Sequence, residues 1–300
     1  MAKYSVGDFM SLEIGTVIRG CYKITQELKK GGQGQTYLAE DCNQQNQYVI
    51  KQLNQRELTD PLALSTARTR FDREAKTLEK LGSHPQIPAL IDYFEEEQEL
   101  YLVQEYIEGF DLKHKLEQSD PWREQDVISM LRDILPTLTY IHQERIIHRD
   151  IKPSNLVIRK HDNKIFVIDF GIIKELNELL TTGLTLPGQS PGTPIYMAPE
   201  HRRGNPCYAS DLYSLGLIAI EALIEEYSPP VLETGEVIWN QQKISKDLAD
   251  ILNKMVHRSV EHRYKSAQEV FDNLINIPLE TSLETSSIIH GRYKVQRRIG

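Results

Sequence analysis

The stretch His148-Arg149-Asp150-Ile151-Lys152-Pro153-Ser154-Asn155, followed by Val167-Ile168-Asp169-Phe170-Gly171, constrains this chain more than any other. Two carboxylates, a lysine and an asparagine fall close together in a loop–strand–turn context. They supply hard oxygen ligands and a base, the groups needed for chemistry on a metal-bound phosphate. Either piece alone says little, since Asp-Phe-Gly is a polar turn and His-Arg-Asp a common surface tripeptide. Their joint occurrence, in this order and spacing, carries the signal.

The rest of the chain is long enough to surround such a site. Its 300 residues, 40% of them apolar, suffice for one large domain or two smaller ones with a proper core. Lys and Arg total 35 against 43 Asp and Glu, a net charge of −8, so no overall basic surface recommends nucleic acid or an anionic membrane as partner. Cys21, Cys42 and Cys207 are odd in number and lack Cys-x-x-Cys spacing, which argues against a disulfide framework or a zinc site and fits a reducing cytoplasm. Met1 to Asp8 lacks the apolar core of a signal peptide, and no stretch reaches the length of a membrane span. The longest apolar run, Leu212 to Ile224, reads instead as a helix buried through the centre of a domain.

Residues 1–19 read as a lead-in. From Tyr22 two β-prone runs flank Lys29-Lys30-Gly31-Gly32-Gln33-Gly34, a hairpin whose small residues let backbone N–H groups approach a phosphate. It is not a Walker A loop, because no Gly-Lys-Ser/Thr follows, and it does not open a helix as a dinucleotide fingerprint must. Gln47 to Leu53 is a strand carrying Lys51. In the next segment, Thr66 to Leu81, Phe71, Ala75 and Leu78 keep helical spacing with Glu74 beside their stripe, so Glu74 is expected to look inward and pair with Lys51. Two more strands follow, Ile87–Phe94 and Glu99–Ile107, with Glu95-Glu96-Glu97 as a solvated turn. After Gly109, a plausible hinge, helical periodicity takes over through Val127, Leu131, Ile134, Leu138 and Ile141, with a kink or break expected at Pro136. A long irregular segment, 172–200, contains Thr181, Thr182, Thr185, Ser190 and Thr193. Helices are expected around Lys246–Val256 and Ser266–Ile275, the latter with a Ser266/Glu269 capping box. Residues 277–287 have linker composition. Finally Ile289-His-Gly291-Arg-Tyr293-Lys294-Val295 repeats Ile18-Arg-Gly20-Cys-Tyr22-Lys23-Ile24 at constant offset, as if a second copy of the domain begins at 288–300.

From about Tyr22 to Ile275 the chain resembles a eukaryotic-like (Hanks-type) Ser/Thr protein kinase of bacterial type. The resemblance extends through Gly192-Thr193-Pro194-Ile-Tyr196-Met-Ala198-Pro199-Glu200, Asp211-Leu-Tyr-Ser-Leu-Gly216 and Arg263. It implies an α+β, bilobal fold within residues 20–276: a small, mainly antiparallel β N-lobe with one key helix (about 20–107) and a larger α-helical C-lobe (about 110–276). It also implies transfer of the γ-phosphate of ATP to Ser/Thr hydroxyls of protein substrates, with magnesium, or alternatively manganese, as the metal. By the same resemblance Asp150 orients the hydroxyl and takes its proton, Lys152 neutralises the transferring phosphoryl group, and Asn155 and Asp169 hold the metal. Gly31 and Gly34 cover the phosphates, Lys51 contacts the α/β-phosphates and Glu74 orients it. Leu28, Thr36, Val49 and Val157 sandwich the adenine, and backbone groups of Glu105 and Ile107 read its edge. Thr193 before Pro194, with Lys152 after Asp150, is the Ser/Thr-specific form of the motif. Glu200 and Arg263 form a scaffold ion pair, and Asp211 braces the catalytic loop.

The pattern is departed from in places. Lys29 stands where the family usually has the first Gly of the loop, Gln33 where an aromatic often caps it, and Val49 replaces the usual Ala. Two rival readings are a pseudokinase, a binding module of the same shape, and a small-molecule phosphotransferase. The complete set Lys51, Glu74, Asp150, Asn155 and Asp169 argues against the first, and Ala198-Pro199-Glu200 against the second.

Overall fold

The structure, a computed structural model, describes residues 12–31, 34–43, 46–53, 61–82, 84–118, 121–170, 195–224, 231–232, 234–278, 288–289 and 293–294. An antiparallel sheet of order β1-β2-β3-β4-β6-β5 makes the N-lobe. Its strands are β1 (Val17–Ile18), β2 (Tyr22–Gly31), β3 (Gly34–Asp41), β4 (Gln47–Leu53), β5 (Leu90–Glu96) and β6 (Glu99–Glu105), with helix α1 (Pro61–Leu81) between β4 and β5. The segment expected as a lead-in contributes β1 to this sheet, and Leu12 N–H donates to the Tyr37 hydroxyl at 3.0 Å.

Period-two alternation sorts the sheet residues onto two faces. Ile24, Tyr37, Ala39, Ile50 and Val103 form the outer cluster, while Leu53 and Leu102 join a larger core shared with α1 and the helical lobe. Lys51, two residues from Leu53 along β4, therefore points to the inner face. Helix α1 begins at Pro61, earlier than the apolar spacing predicted, because residues before Thr66 carry no core stripe yet continue the helix from a favourable N-terminal proline. The β5–β6 turn falls at Glu97 and Gln98, both with positive φ (51° and 65°), so Glu95 and Glu96 belong to the strand.

A short sheet of β7 (Gly109–Asp111), β8 (Leu156–Arg159) and β9 (Ile165–Val167) opens the helical lobe. At Gly109 a side chain would collide with the Ile158 carbonyl, so the hinge position requires glycine. The lobe's helices are α2 (Leu112–Gln118), α3 (Glu124–Gln143), α4 (Pro199–Arg202), α5 (Tyr208–Leu223), α6 (Lys246–Met255) and α7 (Ala267–Leu274). Of the kink or break expected at Pro136, a break does not occur: α3 runs through it as one helix. One lost N–H bond is outweighed by the burial of Ile134, Leu135 and Leu138 around it. Helix α5 is buried from Ala209 to Ile220, as its apolar run predicted. Only half of the expected capping box forms on α7. Glu269 N donates to Ser266 Oγ at 3.1 Å, while the Glu269 carboxylate accepts from Lys265 N at 2.9 Å instead of from Ser266.

Among the described residues, no helix is long and apolar enough to cross a membrane. The linker expected at 277–287 does not begin at Ile277, which is buried in the main core and accepts from Arg132 through its carbonyl; residues 279–287 and the segment 171–194, with Thr181, Thr182, Thr185, Ser190 and Thr193, lie outside the described residues.

Candidate active site

The cleft between the two lobes gathers the polar residues of the motifs into two adjoining clusters. In the first, Lys51 Nζ donates to Asp169 and lies 3.6 Å from Glu74 Oε1. Glu74 is 1% exposed on α1, brought inward by the helical spacing that also buries Phe71, Ala75 and Leu78. Burial disfavours the Lys51 ammonium, but the Asp169 and Glu74 carboxylates outweigh it and raise its pKa. Burial likewise opposes ionisation of Asp169, and the charge of Lys51 overcomes it, holding the carboxyl below its usual range. Glu74 is different. It is farther from the ammonium, so burial dominates and its pKa rises.

The second cluster is the loop 148–155. Asp150 Oδ2 accepts from Asn155 Nδ2 at 2.8 Å and from Lys152 Nζ at 3.0 Å. Asn155 Nδ2 also donates to the Asp150 carbonyl at 2.9 Å, which fixes the loop's span. Ile168 N–H donates to the Asn155 carbonyl at 3.0 Å, tying the loop to the strand end that carries Asp169. Both Arg149 and Asp169 adopt positive φ (67° and 58°), a conformation uncommon for such residues and maintained only where the surroundings fix it.

Much of that fixing comes from Asp211, 1% exposed at the start of α5. It accepts from His148 N, Arg149 N and His142 Nε2, each at 2.9 Å. Burial alone would protonate it; the His142 hydrogen bond and the neighbouring donors keep its pKa low. His148 completes the frame. Its Nδ1 accepts from Asp150 N at 3.3 Å and its Nε2 donates to the Ile168 carbonyl at 3.0 Å, while its ring lies 4.6 Å from that of Phe170. Burial lowers its pKa, so the neutral ring that this pattern requires is the favoured form.

The remaining expected positions lie around these clusters. Gly31 and Gly34 face each other at the β2–β3 tip, Thr36 opposes Lys51, and Val49 sits two residues before Lys51 on the same face. Leu28 is exposed on β2, and Val157 is half-buried on β8. Ile107 is buried past the end of β6, and the N–H of Glu105 is committed to the Ala89 carbonyl at 2.9 Å. Glu200 and Arg263 form a two-pronged pair, Nη1–Oε1 2.8 Å and Nη2–Oε2 2.9 Å, with the guanidinium fully buried over Tyr213. Thr193 lies outside the described residues.

One supporting residue escaped the sequence reading. Gln86 Nε2 donates to the Ile165 carbonyl at 2.9 Å and to the Asp133 carboxylate at 3.1 Å, and its carbonyl accepts from Val167 N at 3.0 Å. It clips β9, and through it Asp169, to helix α3. An amide flanked by Pro85 and Ile87 was the only signal available.

The donor set suits a hard divalent ion. Asn155 Oδ1 is buried without a hydrogen-bond partner, and Asp169 offers a carboxylate that Lys51 keeps ionised. Two protein oxygens are few for a resident metal, but they suit an ion whose remaining ligands are water and substrate phosphates.

Comparison with known proteins agrees with this geometry. The family model for the protein kinase domain matches residues 22–276. Serine/threonine-protein kinase C of Synechocystis sp. is 42% identical over 272 residues, covering 86% of this chain and 51% of the relative. Serine/threonine-protein kinase B of the same organism is 38% identical over 268 residues, covering 86% and 46%. This chain thus spans about half the length of the curated relatives it matches. Among solved structures, the Mycobacterium tuberculosis PknI kinase domain shares the fold with a TM-score of 0.66 at 24% identity, covering 88% of this chain and 99% of that one. With matching motifs, lobes and relatives, the chain belongs to the protein kinase domain family.

Proposed function

We propose that this domain transfers the γ-phosphate of ATP to Ser or Thr hydroxyls of protein substrates, using Asp150, Lys152, Lys51, Glu74, Asn155 and Asp169. The observation that carries this reading is the convergence of Lys51, Glu74 and Asp169 beside the Asp150–Lys152–Asn155 loop in one cleft. Asp150 takes the proton of the acceptor hydroxyl as the oxygen attacks. Lys152, 3.0 Å from it, offsets the charge of the phosphoryl group in transit. Lys51, oriented by Glu74, holds the α/β-phosphates, and the inner face of the sheet with Leu28, Thr36, Val49 and Val157 packs the adenine. Asn155 and Asp169 would hold magnesium, or manganese in its place, which supplies charge neutralisation across the β- and γ-phosphates. Thr193 is assigned to shaping the acceptor site. A cytoplasmic setting belongs to this reading, and no feature of it calls for nucleic acid.

Thr181, Thr182, Thr185 and Ser190 are the expected autophosphorylation positions, whose phosphate Arg149 would meet. A second kinase-like domain starting near 288 is favoured by a structural repeat. Ile288 pairs Lys294 and Ile289 pairs Tyr293 just as Val17 pairs Lys23 and Ile18 pairs Tyr22.

The test is phosphate transfer from magnesium-ATP to a generic basic protein and to the chain itself, with sites located by mass spectrometry. Phosphoserine or phosphothreonine on the acceptor, and phosphate within 172–193, is the expected result. Nucleotide binding without transfer to any protein would favour a pseudokinase, and transfer to small alcohols alone a small-molecule phosphotransferase.

A further inference from the structure

We propose that Lys29 is a second phosphate-binding cation of the cleft, gripping the triphosphate of a nucleoside triphosphate from the β2 side while Lys51 grips it from β4. This inference rests on the nucleotide-binding reading above. Its geometry comes from register. Lys29, which follows a β-bulge at Leu28 that suspends the alternation between the two residues, is the Cα partner of Thr36, and Thr36 is the partner of Lys51. Directly opposed residues of an antiparallel ladder project to the same face. The face of Lys51 is known from its contacts with Asp169 and Glu74. The opposite face is occupied by Gln35, Tyr37 and Ile50, all buried. Lys29 therefore projects into the cleft, two strands or about 10 Å of backbone from Lys51, a gap that two lysine side chains span jointly around a phosphate chain.

Three further observations fit a ligand contact. Lys29 is exposed and makes no hydrogen bond or ion pair among the described residues. Lys51 faces Glu74 and Asp169 and Lys152 faces Asp150, so the two lysines of these clusters are already matched by carboxylates, and Lys29 adds a cation that an anion bearing several charges can use. Finally, Lys29 lies on β2 two residues before Gly31, which pairs with Gly34 at the hairpin tip, so its side chain stands beside the backbone that the resemblance assigns to phosphate contact.

The experiment measures binding of magnesium-ATP and of adenosine to the full chain by calorimetry, at low and at high salt, for wild type, Lys29→Gln and Lys29→Arg. Lys29→Gln should weaken ATP about tenfold at low salt, equivalent to about 1.4 kcal/mol. The loss should shrink at high salt, where an exposed charge is screened. Adenosine affinity should not change, Lys29→Arg should bind ATP nearly as wild type, and in turnover the rise in KM should exceed any fall in kcat. ATP affinity unaltered in Lys29→Gln, or ATP and adenosine weakened equally, would overturn the proposal, the second outcome marking a packing role in the hairpin. A wild-type chain that bound adenosine but not ATP would overturn the nucleoside triphosphate reading and this proposal with it.

Discussion

Replacing Asp211 by alanine tests whether the buried helix α5 holds the catalytic loop in its working shape. The carboxylate accepts three hydrogen bonds of 2.9 Å, two of them from the main chain of His148 and Arg149. Alanine would leave those two N–H groups buried and unpaired, at roughly 1–3 kcal/mol each. His142 would lose its Nε2 partner while its Nδ1 already lacks one, adding about 1 kcal/mol. Against this, Arg149 could relax from its φ of 67°, returning about 1 kcal/mol of strain. The net loss is about 4 kcal/mol. At about 2–4 °C per kcal/mol for a domain of this size, Tm should fall by about 8–16 °C. The same relaxation moves Asp150, and a displacement near 1 Å costs about 100-fold in rate. Asp211→Asn retains one acceptor and should lose about half as much stability, again with a large rate defect. Thermal unfolding gives the first quantity, and phosphate transfer measured well below the variant's Tm gives the second. An Asp211→Ala chain melting within about 2 °C of wild type, or transferring phosphate at the wild-type rate while folded, would show that Asp211 does not hold the catalytic loop.

Other substitutions probe the remaining parts. Glu200→Ala strands the fully buried Arg263 guanidinium, and breaking such a pair should cost about 3–5 kcal/mol in chemical denaturation; replacing both partners with apolar residues should recover much of that loss. Lys51→Met should weaken ATP binding and cut turnover at least about 100-fold, whereas Glu74→Gln, which keeps a hydrogen-bonding group 3.6 Å away, should cut it less; kinetics of the two variants separate these effects. His148 has a folded-state pKa below its ordinary 6.5, so the unfolded chain binds more protons in the window beneath 6.5. Its contribution is complete above pH 6.5 and is lost as pH falls toward the folded pKa. Denaturation midpoints of His148→Gln should therefore vary less with pH over that window than those of wild type.

The fold was legible wherever a position demands a particular chemistry. The run from Leu212 to Ile220 has no polar face, so it had to be buried, and α5 is. Phe71, Ala75 and Leu78 placed Glu74 inward by period alone. What local pattern could not supply was tertiary context. Pro136 reads as a breaker until the buried residues around it are counted. Glu269 has two N–H groups within reach, and only the fold selects that of Lys265. The role of Gln86 depends on partners at Asp133 and Ile165, far away in the chain, and no short motif records them. Lys29 looked like a mere departure from a glycine pattern until the strand register put it on the face of Lys51.

Asp150 is proposed as the base of a phosphoryl transfer carried out in this cleft, and γ-phosphate transfer to a basic protein by Asp150→Asn and wild type, measured alongside ATP binding, decides it. Asparagine preserves an acceptor for Asn155 and Lys152 but cannot take the hydroxyl proton. Turnover should fall by roughly 100- to 10,000-fold with ATP affinity little changed. Transfer at the wild-type rate by Asp150→Asn would mean that Asp150 is not the base.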